Sequence, residues 1–279
     1  MHVMIPSTAF EDEVAYENAH ALSISPRAMD TFPIVHAVTN TAAVRRKDFL
    51  GTAERVMRAL GPRGALHLRS SQVSGRRFFD MAETLVTWQT ETGCWLIIND
   101  RVDVAAAVCA KGIQLASHSL RVAEARAVAG DIPVGISIHS IEEATAAEAD
   151  GASWCVAGTV FETPSHEGVK GSRIPFIGDV ARAINIPVIA IGGIQPEHVE
   201  PLLYAGAYGI ATIRGADWER GKSVYVTDPS PGKTRLAGVP DTAAREPITR
   251  YISAYDWDSG SERDHHPDGE RRATGDSAE

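Results

Sequence analysis

His139 ends an apolar run, in the stretch VGISIHSIEEA, immediately before a segment with helical spacing. An imidazole of reference pKa about 6.5 accepts and returns a proton near neutrality, which suits general acid–base chemistry. One histidine at one strand end reads equally well as a structural residue, so its meaning depends on where the other apolar runs end. Those ends carry Thr39 and Asn40, Arg69, Asn99 with Asp100, Gln114 with Ser117 and His118, Thr159 with Thr163, Gly192-Gly193, and Arg214-Gly215. Polar and small residues recur at equivalent places.

The glycines point to an anion. IAIGGI runs into Gln195-Pro196-Glu197, a helix start, and IATIRG supplies Gly215. Without a Cβ, backbone N–H groups approach a phosphate closely, and a helix N-terminus adds roughly half a positive charge. The same glycines also fit two tight turns, and Arg214 either strengthens the anion site or points outward. In INDRVDVA, Asp100 suits a metal, a polar substrate group or a helix cap, and Asp103 falls in the next helix's first turn. The stretch VFETPSHEGVKGSR, 160–173, has a lid's length and composition; its His166 and Lys170 read most simply as solvated residues.

Eight apolar runs must position these residues: Ile34–Val38, Ala65–Leu68, Trp95–Ile98, Ile113–Leu115, Val134–Ile138, Trp154–Val160, Val188–Ile191 and Gly209–Ile213. They do not alternate with polar residues, as expected of parallel strands covered on both faces. Segments such as Asp48–Leu60, Phe78–Gln89, Ile141–Ala149 and Pro175–Ile184 lie between them with apolar residues at helical spacing. Gly61-Pro62 and Asn185-Ile186-Pro187 end helices ahead of strands. Strand–helix units in this number predict an α/β fold, a compact (β/α)8 TIM barrel with its chemistry at the C-terminal mouth. A doubly wound open sheet is the alternative.

The barrel domain is expected over 31–255, after an N-terminal extension (1–30) and before an acidic tail (256–279) too poor in apolar residues to order itself. Within it, 218–242 reads as a loop-like insertion, and AAREPITRYISAY as a closing helix. His265-His266 in the tail reads as an incidental solvated pair. A net charge of −9 argues against nucleic-acid partners. No apolar stretch approaches the ~20 residues of a membrane helix, and no signal-peptide core opens the chain. Cys94, Cys109 and Cys155 lack metal-site spacing and read as reduced thiols, so no metal site is expected and a cytoplasmic location is. A homodimer is the default assembly.

IVHAVTN, LHLRSS, IINDRVDVAAA, GIQLASHS, ISIHSIEEA, GTVFETPS, IPVIAIGGI and GIATIRG, in that order, resemble the thiamine-phosphate synthase/TenI superfamily over about Ile34 to Trp218. The resemblance implies thiamine biosynthesis, by one of two chemistries. Synthases join hydroxymethylpyrimidine pyrophosphate to thiazole phosphate with magnesium; TenI-type thiazole tautomerases, isomerases, aromatise a carboxythiazole phosphate tautomer and need no cofactor. The synthase pattern has Gln-x-Arg-x-Lys at the second strand end, where this chain reads His67-Leu68-Arg69-Ser70-Ser71. After the fourth strand an acidic turn is replaced by Ala116-Ser117-His118-Ser119, and the sixth-strand lysine by His166.

The tautomerase is therefore the leading expectation, the synthase the alternative, and a non-catalytic thiamine-pathway regulator a further one. By resemblance, His139 is the catalytic residue, and Gly192, Gly193, Arg214 and Gly215 bind phosphate. Arg69 pairs with the substrate carboxylate, and Asn99, Asp100, Gln114, His118, Thr159 and Thr163 are further substrate contacts. The implied partner is a small-molecule thiazole phosphate, and magnesium enters only if the synthase reading holds.

Overall fold

The computed structural model describes residues 32–162 and 171–213. The expectations for the N-terminal extension, Thr163, His166, Lys170, Arg214, Gly215, the 218–242 stretch, the closing helix and the tail lie outside the described residues.

In chain order the elements are β1 (Val35–Val38), α1 (Thr41–Arg45), α2 (Phe49–Leu60), β2 (Gly64–Leu68), α3 (Gly75–Thr92), β3 (Trp95–Asn99), α4 (Val102–Val108), β4 (Gly112–Leu115), α5 (Val122–Ala129), β5 (Val134–Ile138), α6 (Ile141–Ala149), β6 (Trp154–Ala157), α7 (Arg173–Ala183), β7 (Val188–Ile191), α8 (Pro196–Ala205) and β8 (Gly209–Thr212). Each strand pairs in parallel with the next, and β8 pairs with β1, closing the barrel. Closure excludes the open doubly wound sheet. Helix and strand boundaries follow the apolar periods to within a few residues; the sixth run stops pairing at Ala157, and the third helix gains a turn at its start from the Ser74 cap. No helix among the described residues is long and apolar enough to cross a membrane.

Two apolar layers hold the barrel. The larger lies between sheet and helices and takes Leu66, Leu68, Leu96, Ile98, Ile113, Leu115 and the inner helix faces. The smaller fills the barrel itself: Phe32, Val38, Ala65, Ile97, Trp154, Val156, Ile189 and Ala211. Its floor is aromatic. Phe32 lies 5.5 Å from Trp95, 5.3 Å from Trp154 and 5.5 Å from Tyr208, centroid to centroid. Trp154 spans the interior because its neighbour on β5 is a glycine; a Cβ on Gly135 would sit 2.0 Å from the indole. Among the described residues these aromatic side chains fill the N-terminal end of the barrel.

Candidate active site at the barrel mouth

His139 follows the last residue of β5, and a local hydrogen-bond box fixes its backbone. Ser140 caps α6 by accepting from the Glu143 N–H (3.1 Å), while the Glu143 carboxylate reaches back to accept from the His139 N–H (2.6 Å). The Ser140 half follows the capping-box signature S-x-x-E, but Glu143 takes the N–H of His139, the residue before the cap, instead of that of Ser140. The ring is fixed from the other side. His139 Nδ1 lies 2.5 Å from the Gly158 carbonyl oxygen. A carbonyl only accepts, so Nδ1 is the donor, and in a neutral ring Nε2 would be the nitrogen with the lone pair. The imidazole is exposed, with its basic nitrogen not used by that bond.

The ends of β6 and β7 interlock. Val160 N–H donates to Ile191 O (2.9 Å) and Phe161 N–H to Gly192 O (3.0 Å). Gly192 and Gly193 have φ of 106° and 60°, in the left-handed region that favours glycine. A Cβ on Gly192 would lie 2.6 Å from Thr159 Cγ2, and one on Gly193 2.6 Å from Glu162 O. The N–H groups of Gly192, Gly193 and Ile194 donate to no atom of the described residues. They lead into α8, whose Gln195 N–H is taken by His198 Nδ1 at 3.1 Å. His198 in turn stacks on Phe161, centroids 3.9 Å apart. His139, Thr159, Gly192 and Gly193 are therefore contiguous: the imidazole touches Gly158, and Thr159 beside it packs on the glycine turn. Three amides without a partner among the described residues thus precede a helix N-terminus, an arrangement whose chemistry suits an anion.

The strands β1 to β4 supply a different set. Thr39 bridges the first two ends, accepting from Arg69 N–H (2.8 Å) and donating to Arg69 O (2.9 Å). The Arg69 side chain is exposed and has no partner among the described residues. Asp100 has φ of 59°, and its Oδ1 accepts from the Ala116 N–H at 2.9 Å. Asp100 therefore does not cap α4, whose N-cap residue is Arg101 with no side-chain cap bond. It ties the β3 end to the turn carrying Ser117 and His118. His118 itself is exposed. Asp103 pairs with Arg101 at 2.7 Å, away from the site chemistry.

Gln114 is placed differently from a mouth contact. It is 3 % exposed, its Oε1 accepts from the Trp154 indole (2.8 Å), and its Nε2 donates to Leu115 O and Ser137 Oγ, both 3.2 Å. Both its donors are spent inside the barrel. Sequence reasoning passed over a second interior group, His36 paired with His67 at 2.8 Å. Burial pushes His36 down to about 4 and His67 well below the ordinary imidazole range. Histidine inside an apolar strand run was the available signal. Cys94 and Cys155 are buried, with burial raising both thiols to about 12, and Cys109 is exposed; all three are free. No group of three or more metal-ligating side chains gathers among the described residues.

A family model described as thiamine monophosphate synthase matches residues 35–216. The thiamine-phosphate synthase of Pyrococcus abyssi is 36% identical over 149 residues, 53% of this chain and 72% of that protein. The one from Halalkalibacterium halodurans is 42% identical over 156 residues (55% and 74%), and that of Clostridium tetani 32% over 180 (64% and 85%). The solved thiamine phosphate pyrophosphorylase from Pyrococcus furiosus superimposes with a TM-score of 0.59 at 27% identity, covering 67% of this chain and 88% of that one. These likenesses bear out the superfamily resemblance. Their names are those of the synthase branch, so they favour the alternative of the sequence reading over the tautomerase.

Proposed function

The chain belongs to the thiamine monophosphate synthase family, and from that premise we propose that it acts on a thiazole phosphate as a tautomerase, with His139 moving the proton. One observation supports the reading most: His139 Nδ1 is held on the Gly158 carbonyl, next to Thr159 that packs on the Gly192 turn, so that in a neutral ring Nε2 would be the base. The substrate phosphate would lie on the amides of Gly192, Gly193 and Ile194, with Arg214 and Gly215 as further expected partners. Arg69 would pair with the carboxylate. Nε2 would take a ring proton and return it at another carbon, leaving the aromatic thiazole. Assistance of this kind is worth ~10²–10⁴ in rate.

The second reading, a synthase, is favoured by the names of the relatives and by Asp100 standing where that branch has an acid. It implies magnesium. The donor set does not fit that ion well: one Asp100 oxygen is engaged by Ala116, and the turn after β4 offers Ser117 and His118 instead of a second carboxylate. The pyrophosphate would also lack the lysine of the synthase pattern at Ser71.

The test is incubation with the carboxythiazole phosphate tautomer, following ring aromatisation by ultraviolet absorbance. A parallel reaction supplies both synthase substrates and magnesium, and measures pyrophosphate release. Aromatisation lost in His139→Gln supports the tautomerase. Pyrophosphate release with no aromatisation replaces it by the synthase.

A further inference from the structure

Thr39, the residue after β1, is 0% exposed, so its hydroxyl must find partners within the fold. Its N–H donates to His67 O at 3.0 Å, its Oγ1 accepts from Arg69 N–H at 2.8 Å, and its hydroxyl donates to Arg69 O at 2.9 Å. A hydroxyl has one proton to give, which the Arg69 carbonyl takes, and its lone pairs serve the Arg69 N–H. One oxygen can reach both main-chain groups of a residue only when they lie on the same side, as in extended backbone. There the side-chain direction alternates from residue to residue. Thr39 thus carries the alternation of β2 one step past its last paired residue, Leu68. Ala65 and His67 face the barrel interior. Arg69 is the next in that series, at the mouth, exposed and with no side-chain partner among the described residues.

We infer that Thr39 is a positioning residue for Arg69: by fixing that backbone it aims the guanidinium over the mouth, so that the protein tells a thiazole phosphate bearing a carboxylate from one without it. The inference rests on the tautomerase reading, in which substrate and product both carry the carboxylate. Two anionic groups on one small ring need two separate partners. The amides before α8 suit the phosphate, and a planar guanidinium matches a carboxylate with two parallel N–H donors. Arg101, at the β3 end, is engaged by Asp103 at 2.7 Å, whereas Arg69 is not engaged. An arginine has many rotamers, and ordering it on a ligand costs affinity. A fixed backbone direction lowers that cost.

Calorimetric titration with two stable ligands tests this without turnover: the aromatic carboxythiazole phosphate, and the same thiazole phosphate lacking the carboxylate. Wild type should bind the carboxylated ligand about tenfold more tightly, and Arg69→Met should remove that preference. Thr39→Val keeps the side-chain shape without the hydroxyl, and should reduce the preference to about threefold or less. Thr39→Ser keeps the hydroxyl and should retain it. Affinity for the ligand without the carboxylate should stay within about threefold throughout, whereas a general loosening of the mouth would weaken both ligands alike. If Thr39→Val does not fold by circular dichroism, Thr39→Ala carries the same expectation.

An undiminished preference in the hydroxyl-less variant, or an equal loss for both ligands, overturns the positioning role. Absence of any preference in wild type overturns the inference as a whole, while ring aromatisation by the same protein still decides the tautomerase reading. A wild type that prefers the carboxylate but leaves the tautomer unchanged keeps the Thr39–Arg69 assignment and loses the reaction.

Discussion

At the ends of β5 to β8, backbone does the positioning. The Gly158 carbonyl sets the His139 ring, the 160–161 amides bind the β7 end, and two left-handed glycines keep N–H groups without a partner among the described residues. At the ends of β1 to β4, side chains do it instead. Thr39 holds Arg69, Asp100 holds Ala116, and the interior below is filled by His36, His67 and Gln114. The difference bears on what each half could recognise. Under the proposed function, backbone amides would hold one phosphate with little help from side-chain charge. Recognition of a magnesium pyrophosphate depends on side-chain charges, and this half presents one arginine and one tethered aspartate.

The largest expected effect falls on the backbone-built half. His139→Gln retains a polar side chain but no base, and should lower tautomer turnover by ~10²–10⁴ with little change in KM. Steady-state kinetics on folded variant protein check this. Turnover within about threefold of wild type would move the chemistry to the other half of the mouth.

The second effect belongs to the side-chain-built half and appears as stability against pH. Burial holds His36 at about 4 in the fold, against 6.5 when unfolded, so the unfolded chain binds more protons between those values. Stability is therefore full above pH 6.5 and declines as pH falls toward 4. The total for His36 is about 3 kcal/mol. Denaturant midpoints measured across that window should fall in wild type and fall less in His36→Gln. A wild-type midpoint independent of pH there would mean the pair is not buried as a neutral unit.

How far the sequence reached follows the same division. The barrel was legible because parallel strands covered on both faces read as unbroken apolar runs, and glycine or proline marks their ends. His139 and Gly192-Gly193 were legible because they fall at those ends. The interior was not. When both faces of a strand are buried, period two no longer tells inside from outside, so IVHAV and ALHL gave no sign that His36 and His67 face each other. Gln114 reads as a mouth residue from sequence, since nothing local shows that Trp154, forty positions on, lies in reach of its amide. Gln89 shows the same limit: its Oε1 accepts from Leu96 and Lys111 N–H groups, joining β3 to the β4 approach from inside a helical pattern.

Gly192→Ala sharpens the role of the cradle. The new Cβ meets Thr159 at 2.6 Å on a backbone with φ of 106°, so either Thr159 or the turn must move. Strain of ~1–3 kcal/mol is expected, read as a lower denaturant midpoint. The KM for thiazole phosphate should rise about tenfold as the amides lose their alignment. An unchanged KM would place the phosphate elsewhere on the rim.

The smallest effect concerns Asp100, and it turns on two separable demands. The residue must tolerate φ of 59°, and it must offer an oxygen to Ala116 N–H. Asparagine meets both, because it enters the left-handed region more readily than most residues and keeps Oδ1. Alanine meets neither well, and glycine meets only the first. Stability should therefore fall in the order Asn, Gly, Ala: within about 0.5 kcal/mol of wild type for Asp100→Asn, and about 1–2 kcal/mol lower for Asp100→Ala. Thermal or urea unfolding of the three variants checks the order. A structural tether depends on the oxygen and not on the charge, so Asp100→Asn separates it from a residue kept for its negative charge. If Asp100→Asn proved clearly more stable than wild type, the carboxylate would be held at a cost to the fold, and the side-chain-built half would regain the signature of a cation site.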